Sequence, residues 1–387
     1  MNMMGYRYQC LQHTLEALNL SNVPLVQTPI NKTLWWDKAP LVPSGFTDDL
    51  GIYYFIPLLS KNLHISLDGA INLFLGMLII GATFLGLVGY YFALQTWAAR
   101  VLAIVGLVIL AFYTWRIGDV YVIQMFAVVS LIPIFLAFYK QKDKGFWLVG
   151  AFAFARLVCG YSNCIRSQSG TGILLFLILL LGFASTYSNK EKIIFLVMLL
   201  AFFSIPVLHF KSLENQRDAV LVKVIPDYHP ATIKHTFWHS VFIGLGYVNN
   251  QHGINYDDSS GDEKAKSIDP KVRFQSQEYQ EILKNQVLIL IKTDPLLIVR
   301  NLLAKSFRLL INFVLFFNLG LIFLFRVKLP WNLTLPFVVL IVWSALPGLL
   351  VVPSRSYILG FTASVDIFGL YLIGLGIEEY FLDRRRP

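Results

Sequence analysis

Apolar runs long enough to cross a bilayer recur about nine times along this chain, taking roughly 20 apolar residues as the length of one helical span. They extend from about Gly69 to Leu94, Ala98 to Thr114, Val120 to Tyr139, Phe146 to Cys159, Thr171 to Ser185 and Ile193 to Phe210. After a long polar interval they resume from Leu309 to Phe325, Trp331 to Val352 and Tyr357 to Ile377. The fourth and fifth sit at the short limit for spanning. The pattern predicts an all-α integral membrane protein with about nine transmembrane helices and two extracytoplasmic regions carrying amphipathic helices. Four regions follow: residues 1–68, an outer segment; 69–210, a six-helix membrane region; 211–306, a large outer loop; and 307–387, a three-helix region ending in a basic cytoplasmic tail.

Sidedness comes from Lys and Arg in the short loops, which resist translocation. Arg100, Lys140, Lys142, Lys144, Lys190, Lys192, Arg326, Lys328 and Arg384 to Arg386 fall on one side, against Arg116, Arg166 and Arg355 on the other. The basic side, with the C-terminus, is expected in the cytoplasm, and a bacterial inner (plasma) membrane is the expected location. A polar outer segment seldom crosses without a hydrophobic signal, and Gln9, Gln12, His13 and Glu16 interrupt every apolar run before Asn22. A first span ahead of this segment is therefore expected.

Composition excludes a soluble globular domain, with 56% hydrophobic and 14% charged residues and a mean hydropathy of +0.61. The net charge of +9 is mostly topology charge, so no nucleic-acid partner is expected. Cys10, Cys159 and Cys164 give no disulfide framework, although Cys10 and Cys164 could meet in an oxidising compartment.

The polar chemistry gathers on the outer side. In S-G-F-T-D-D-L-G-I-Y-Y-F-I-P-L-L-S, Ser44 to Ser60, the carboxylates Asp48 and Asp49 open an amphipathic stretch. They either cap a surface helix or place one base at the headgroup plane; neighbouring side chains do not share a helical face, so only one aims at a given partner. Arg116 and Asp119 occupy a short outer turn. Arg166 lies in N-C-I-R-S-Q-S-G-T-G and Arg355 in V-P-S-R-S-Y. Guanidinium groups suit phosphate oxygens, or they snorkel to the interface. Arg156 and Asp366 fall inside spans, where each needs a cavity or a partner.

The block H-T-F-W-H-S-V-F-I-G-L-G-Y-V-N-N-Q-H-G-I-N-Y-D-D, His235 to Asp258, interleaves histidines with aromatics and reads as a folded, partly buried polar site. His235 and His239 are spaced for one helical face. That spacing is compatible with a divalent cation, the one cofactor the pattern suggests, although no H-E-x-x-H is present. Beyond Asp269, helical periodicity runs from Tyr279 to Ile291, Thr293-Asp294-Pro295 breaks it, and an interfacial helix follows whose Arg300, Lys305 and Arg308 are either solvated or face lipid phosphates.

This layout resembles the GT-C superfamily of membrane glycosyltransferases, which take a sugar from a polyprenyl-phosphate carrier. The likeness rests on the acidic pair before a Tyr-rich amphipathic stretch (Asp48, Asp49, Tyr53, Tyr54), the Arg116 and Asp119 turn, the large outer loop, and R-S-Y at Arg355 to Tyr357. It implies Asp48 or Asp49 as the base, and Arg355 with Arg166 or Arg116 on the departing phosphate. His235, His239, Asp119 and Tyr357 would contact substrate. The implied partners are a lipid-linked donor, membrane lipids, and a glycan, lipid or protein acceptor of the cell envelope. R-S-Q-S-G-T-G and the histidine block also resemble the O-antigen ligase and polymerase family, in which His235 or His239 would be the base acting with a lipid pyrophosphate. A transporter or flippase-like protein is the non-enzymatic alternative, against which stands the absence of internal repeats.

Overall fold

A computed structural model describes residues 5–30, 39–45, 49–140, 146–183, 188–225, 228, 236–274, 276–317 and 319–383. Sixteen helices account for almost all of its regular structure. Six are long and apolar enough to cross a membrane, and the count is up to seven if one bent pair forms a single span. This is the architecture of a multi-pass helical membrane protein. The exception to all-helical structure is a two-residue antiparallel pair, β1 (Val26–Gln27) with β2 (Val42–Pro43).

The chain divides into two compact units, the first comprising Met1–Tyr228, Phe316–Ser344 and Leu359–Pro387, the second His229–Leu315 and Ala345–Ile358. In the first, α1 (Gly5–Ser21) packs on α2 (Gly51–Leu63), the amphipathic stretch read from sequence; α2 buries Ile52, Tyr53, Ile56 and Ser60. The Nζ of Lys61 ties the two by donating to Leu18 O at 2.8 Å. Apolar helices follow: α3 (Leu67–Ala93), α4 (Trp97–Ile117), α5 (Val120–Val129), α6 (Ile132–Lys140), α7 (Phe146–Ile165), α8 (Ser169–Gly182) and α9 (Asn189–Val224); of these α3, α4, α5 with α6, and α9 are long and apolar enough to cross a membrane.

Local signals explain the boundaries. Ser66, Thr96 and Asp119 cap α3, α4 and α5, and Ser188 with Glu191 forms a capping box on α9. Gly118, at φ +70°, ends α4 in the left-handed conformation that a glycine adopts without strain, which turns the chain straight into α5. The stretch Val120–Lys140 breaks only briefly between α5 and α6, and its apolar window is 94% buried within protein; that of α9 is 17% buried. The outward apolar residues of α9, among them Ile193, Val197, Ile205 and Leu208, are its lipid-facing surface. Helix α9 also runs unbroken past Phe210 to Val224, so the polar segment expected from Lys211 begins as a continuation of a span, burying Leu213, Glu214, Arg217 and Leu221.

One end of this helix set gathers cationic and polar ties. Lys140 Nζ donates to Ala93 O at 3.0 Å and Arg100 Nε to Leu94 O at 2.8 Å, while the Glu378 carboxylate accepts the Gln95 and Thr96 N–H groups. The opposite ends of α4 and α5 carry the site described below.

The second unit holds α10 (Phe237–Gly244), a 3₁₀ turn (Leu245–Tyr247), α11 (Asp258–Ile268), α12 (Gln277–Thr293) and most of α13 (Pro295–Phe317). Its core joins Phe242, Ile243, Leu245, Ile254, Ala265, Val272, Tyr279, Leu283, Val287 and Leu290. The polar interval between the apolar helices is thus a folded body with its own core, and the α12/α13 boundary falls at Asp294 as the sequence predicts. Beyond it lie α14 (Leu319–Arg326), α15 (Trp331–Leu350) and α16 (Arg355–Asp383).

Candidate functional site

In the first unit, a buried carboxylate, two arginines and a tyrosine come from four separate segments. The residues after α7 form a locked turn. The Asn163 Oδ1 accepts the N–H groups of Gly170 and Thr171 at 2.7 and 3.1 Å, the Ser169 hydroxyl donates to Arg166 O at 2.7 Å, and Gln168 takes φ +74°. Gln124 of α5 donates to Ser169 Oγ at 2.9 Å, anchoring this turn to its neighbour. The start of α2 then fits against it with no room for a side chain: a Cβ on Gly51 would stand 2.7 Å from Cys164 O.

That contact delivers Asp49. Its Oδ2 accepts the Ser167 N–H at 2.9 Å, and the residue is buried. The capping reading of this aspartate is corrected: the N-cap of α2 is Leu50, with no side-chain cap, and the Asp49 carboxylate serves the α7/α8 turn instead. Next to Ser167, the Arg166 guanidinium lies 4.7 Å from the centroid of Tyr121, the buried tyrosine of the first turn of α5, and Arg7 of α1 lies 4.6 Å from the same ring. Two cations that share one aromatic ring repel each other, and a nearby anion offsets that cost. Paired guanidinium groups suit a phosphate.

Other predicted residues have local roles. Asp119 Oδ1 accepts the N–H groups of Tyr121 and Val122 at 2.9 and 3.1 Å, so it caps α5. Arg116 is exposed, its guanidinium 5.0 Å over Phe112 one turn earlier on its own helix, the snorkelling arrangement. Arg156 is buried in α7. Asp366 pairs with no basic side chain among the described residues, contrary to the partner expected from a neighbouring span. No disulfide joins Cys10, Cys159 and Cys164.

In the second unit, His239 is buried between two helices. Its Nδ1 is 2.6 Å from the Tyr279 hydroxyl and its Nε2 is 3.1 Å from Asp258 Oδ1, with Phe274 edge-on at 5.6 Å. Burial pushes the Tyr279 phenol above its ordinary value, so it donates to Nδ1; the His239 Nε2–H then donates to Asp258, whose carboxyl this bond holds below the usual range. With both nitrogens engaged, His239 acts as a cross-brace for α10, α11 and α12, and a metal-ligand role is not formed in this arrangement. Among the described residues no three His, Cys, Asp or Glu side chains converge on a cation site. The turn after Tyr247 is folded by Asn250, whose Oδ1 accepts the N–H groups of His252 and Ile254. Arg355 is exposed at the start of α16, with Tyr357 half-buried two residues on. Asp48 and His235 lie outside the described residues.

Arg7 had no sequence signal, since its relation to Tyr121 spans 114 positions of chain; Tyr279 was legible only as a core position. The chain matches no protein-family model, no curated protein and no solved structure.

Proposed function

We propose that the protein is a membrane glycosyltransferase that moves a sugar from a polyprenyl-phosphate-linked donor to an acceptor at the extracytoplasmic face. One observation carries the reading: buried Asp49 holds the N–H of Ser167, the residue next to Arg166, and Arg166 shares the Tyr121 ring with Arg7 where the end of α7 meets the first turn of α5. Displacement at an anomeric carbon needs a base on the acceptor hydroxyl and positive charge where the phosphate departs, and a carboxylate next to paired guanidinium groups supplies both. Asp49 takes the base role and Arg166 with Arg7 the phosphate; Asp119 and Arg116 leave the substrate set for the local roles given above.

The ligase reading, with a loop histidine as base, draws less support, because the Tyr279 and Asp258 bonds use both nitrogens of His239. Proteoliposomes with a synthetic polyprenyl-phosphate sugar test the proposal. Asp49→Asn should lower transfer by about 10² to 10⁴ while donor retention persists. Arg7→Ala and Arg166→Ala should lose donor retention. Transfer at the unmodified rate in Asp49→Asn, with loss in His239→Gln, would replace this reading with the ligase one.

A further inference from the structure

Helix α13 carries three basic residues before its most apolar stretch, and they differ sharply in environment. Arg300 and Arg308 are exposed. Lys305 is 2% exposed, among the most deeply buried large side chains in the protein, and among the described residues its ammonium has neither an acidic partner nor a hydrogen-bond acceptor. One turn earlier on the same face, Asn301 is also buried. Its Nδ2 donates to Leu245 O at 3.0 Å, and its Oδ1 is enclosed with no donor. Leu245 covers this face at Asn301, and Gly348 covers it at Leu309, where an added Cβ would be 3.3 Å from the leucine side chain. The turn bearing Lys305 lies between these two contacts.

A largely enclosed cation with no counter-charge among the described residues and a buried carbonyl without a donor each cost free energy, and residues four apart on a helix are side by side. A single ligand satisfies both if it presents an anion to Lys305 and a hydroxyl to Asn301. We infer that Lys305 and Asn301 form a binding site for a phosphate ester that carries a free hydroxyl. The three donors of an ammonium suit the several oxygens of a phosphate, and the hydroxyl hydrogen completes the asparagine oxygen. The opposite face of α13, with Leu296, Val299, Leu303, Phe307 and Leu310 outward, is apolar, which brings this site to headgroup depth. Both a lipid headgroup and a soluble phosphate ester have this chemistry. The site belongs to the second unit and needs nothing of the Asp49 reading.

Two probes separate the sources, each applied to the full chain: glycerol 3-phosphate in detergent, and phosphatidylglycerol doped into phosphatidylcholine nanodiscs. Saturable thermal stabilisation by glycerol 3-phosphate assigns a soluble ligand; stabilisation by phosphatidylglycerol alone assigns a lipid. In either case Lys305→Met should weaken the response about tenfold or more, and Asn301→Leu by about three- to tenfold. Removing an uncompensated buried charge should leave ligand-free Lys305→Met folded, with a melting temperature at or above that of the unmodified protein. The inference is overturned if neither probe stabilises the unmodified protein, or if Lys305→Met responds as strongly as it does.

Discussion

His252 Nε2 stands 3.0 Å from Asp294 Oδ2, across 42 residues of sequence. The same aspartate closes α12 through its backbone N–H, which donates to Leu290 O, and opens α13 by accepting the Leu297 N–H on Oδ1 at 3.1 Å. One residue, through its backbone N–H and its carboxylate, thus fixes the joint between two helices and pins it to the histidine loop.

The joint should be acid-sensitive. The His252 bond, then the Leu297 N–H, holds the Asp294 carboxyl below its ordinary range. A carboxyl with a lowered folded-state value stabilises above its unfolded value near 4, and that contribution is lost as pH falls through the folded value. Amide exchange over residues 296–300, compared with Asp294→Asn at each pH, should converge on the variant once the pH has fallen below the ordinary carboxyl range. Equal protection of the two proteins at neutral pH would remove the joint from the account.

The His239 brace gives a stability prediction independent of activity. Tyr279→Phe removes the donor to Nδ1 and should cost about 1–2 kcal/mol. Gly261→Ala would place a Cβ 2.5 Å from that nitrogen and should cost about 1–3 kcal/mol by forcing α11 off α10. Denaturation followed by the fluorescence of Trp238, which neighbours this core, reads both. Unchanged stability in Gly261→Ala would contradict the packing.

Asp119 separates a cap from a substrate ligand. Asparagine caps helices as well as aspartate does, so Asp119→Asn should keep both stability and turnover, while Asp119→Ala should cost about 1 kcal/mol. Turnover lost in the asparagine variant at full stability would return Asp119 to the substrate set.

Sidedness is checked by cysteine labelling of intact cells in a background without the three native cysteines. Asn250→Cys, on the folded outer loop, should react with an impermeant maleimide, and Lys190→Cys should react only after permeabilisation. Outside labelling at position 190 would invert the orientation and move the candidate site to the other face.

Periodicity and caps made much of the helical frame legible, because burial of apolar faces and satisfaction of terminal N–H groups are local demands. The break at Thr293-Asp294-Pro295 and the amphipathic α2 are cases in point. Asp49 was legible as a polar residue at a helix start, yet its partner was not, since the Ser167 N–H is 118 positions away and is presented by a turn whose lock depends on Asn163 and Gln124. The same limit hid Arg7. Lys305 looked identical to Arg300 and Arg308 in sequence, and only the packing of α13 distinguishes it. The short spans were read from composition, but Ser169–Gly182 forms just 14 helical residues.

The enclosure of Val120–Lys140 changes what its hydropathy means. An apolar sequence on α9 is matched to fluid acyl chains, which accept any side chain of similar polarity, whereas α5 and α6 are matched to fixed neighbours. Shape, as well as oiliness, is specified there. Leucine-for-isoleucine exchanges that leave the bilayer side of α9 indifferent should therefore register in α5 and α6 as misfit, and that misfit would reach the site end of the fold through Tyr121 and Gln124, which sit on the same helix.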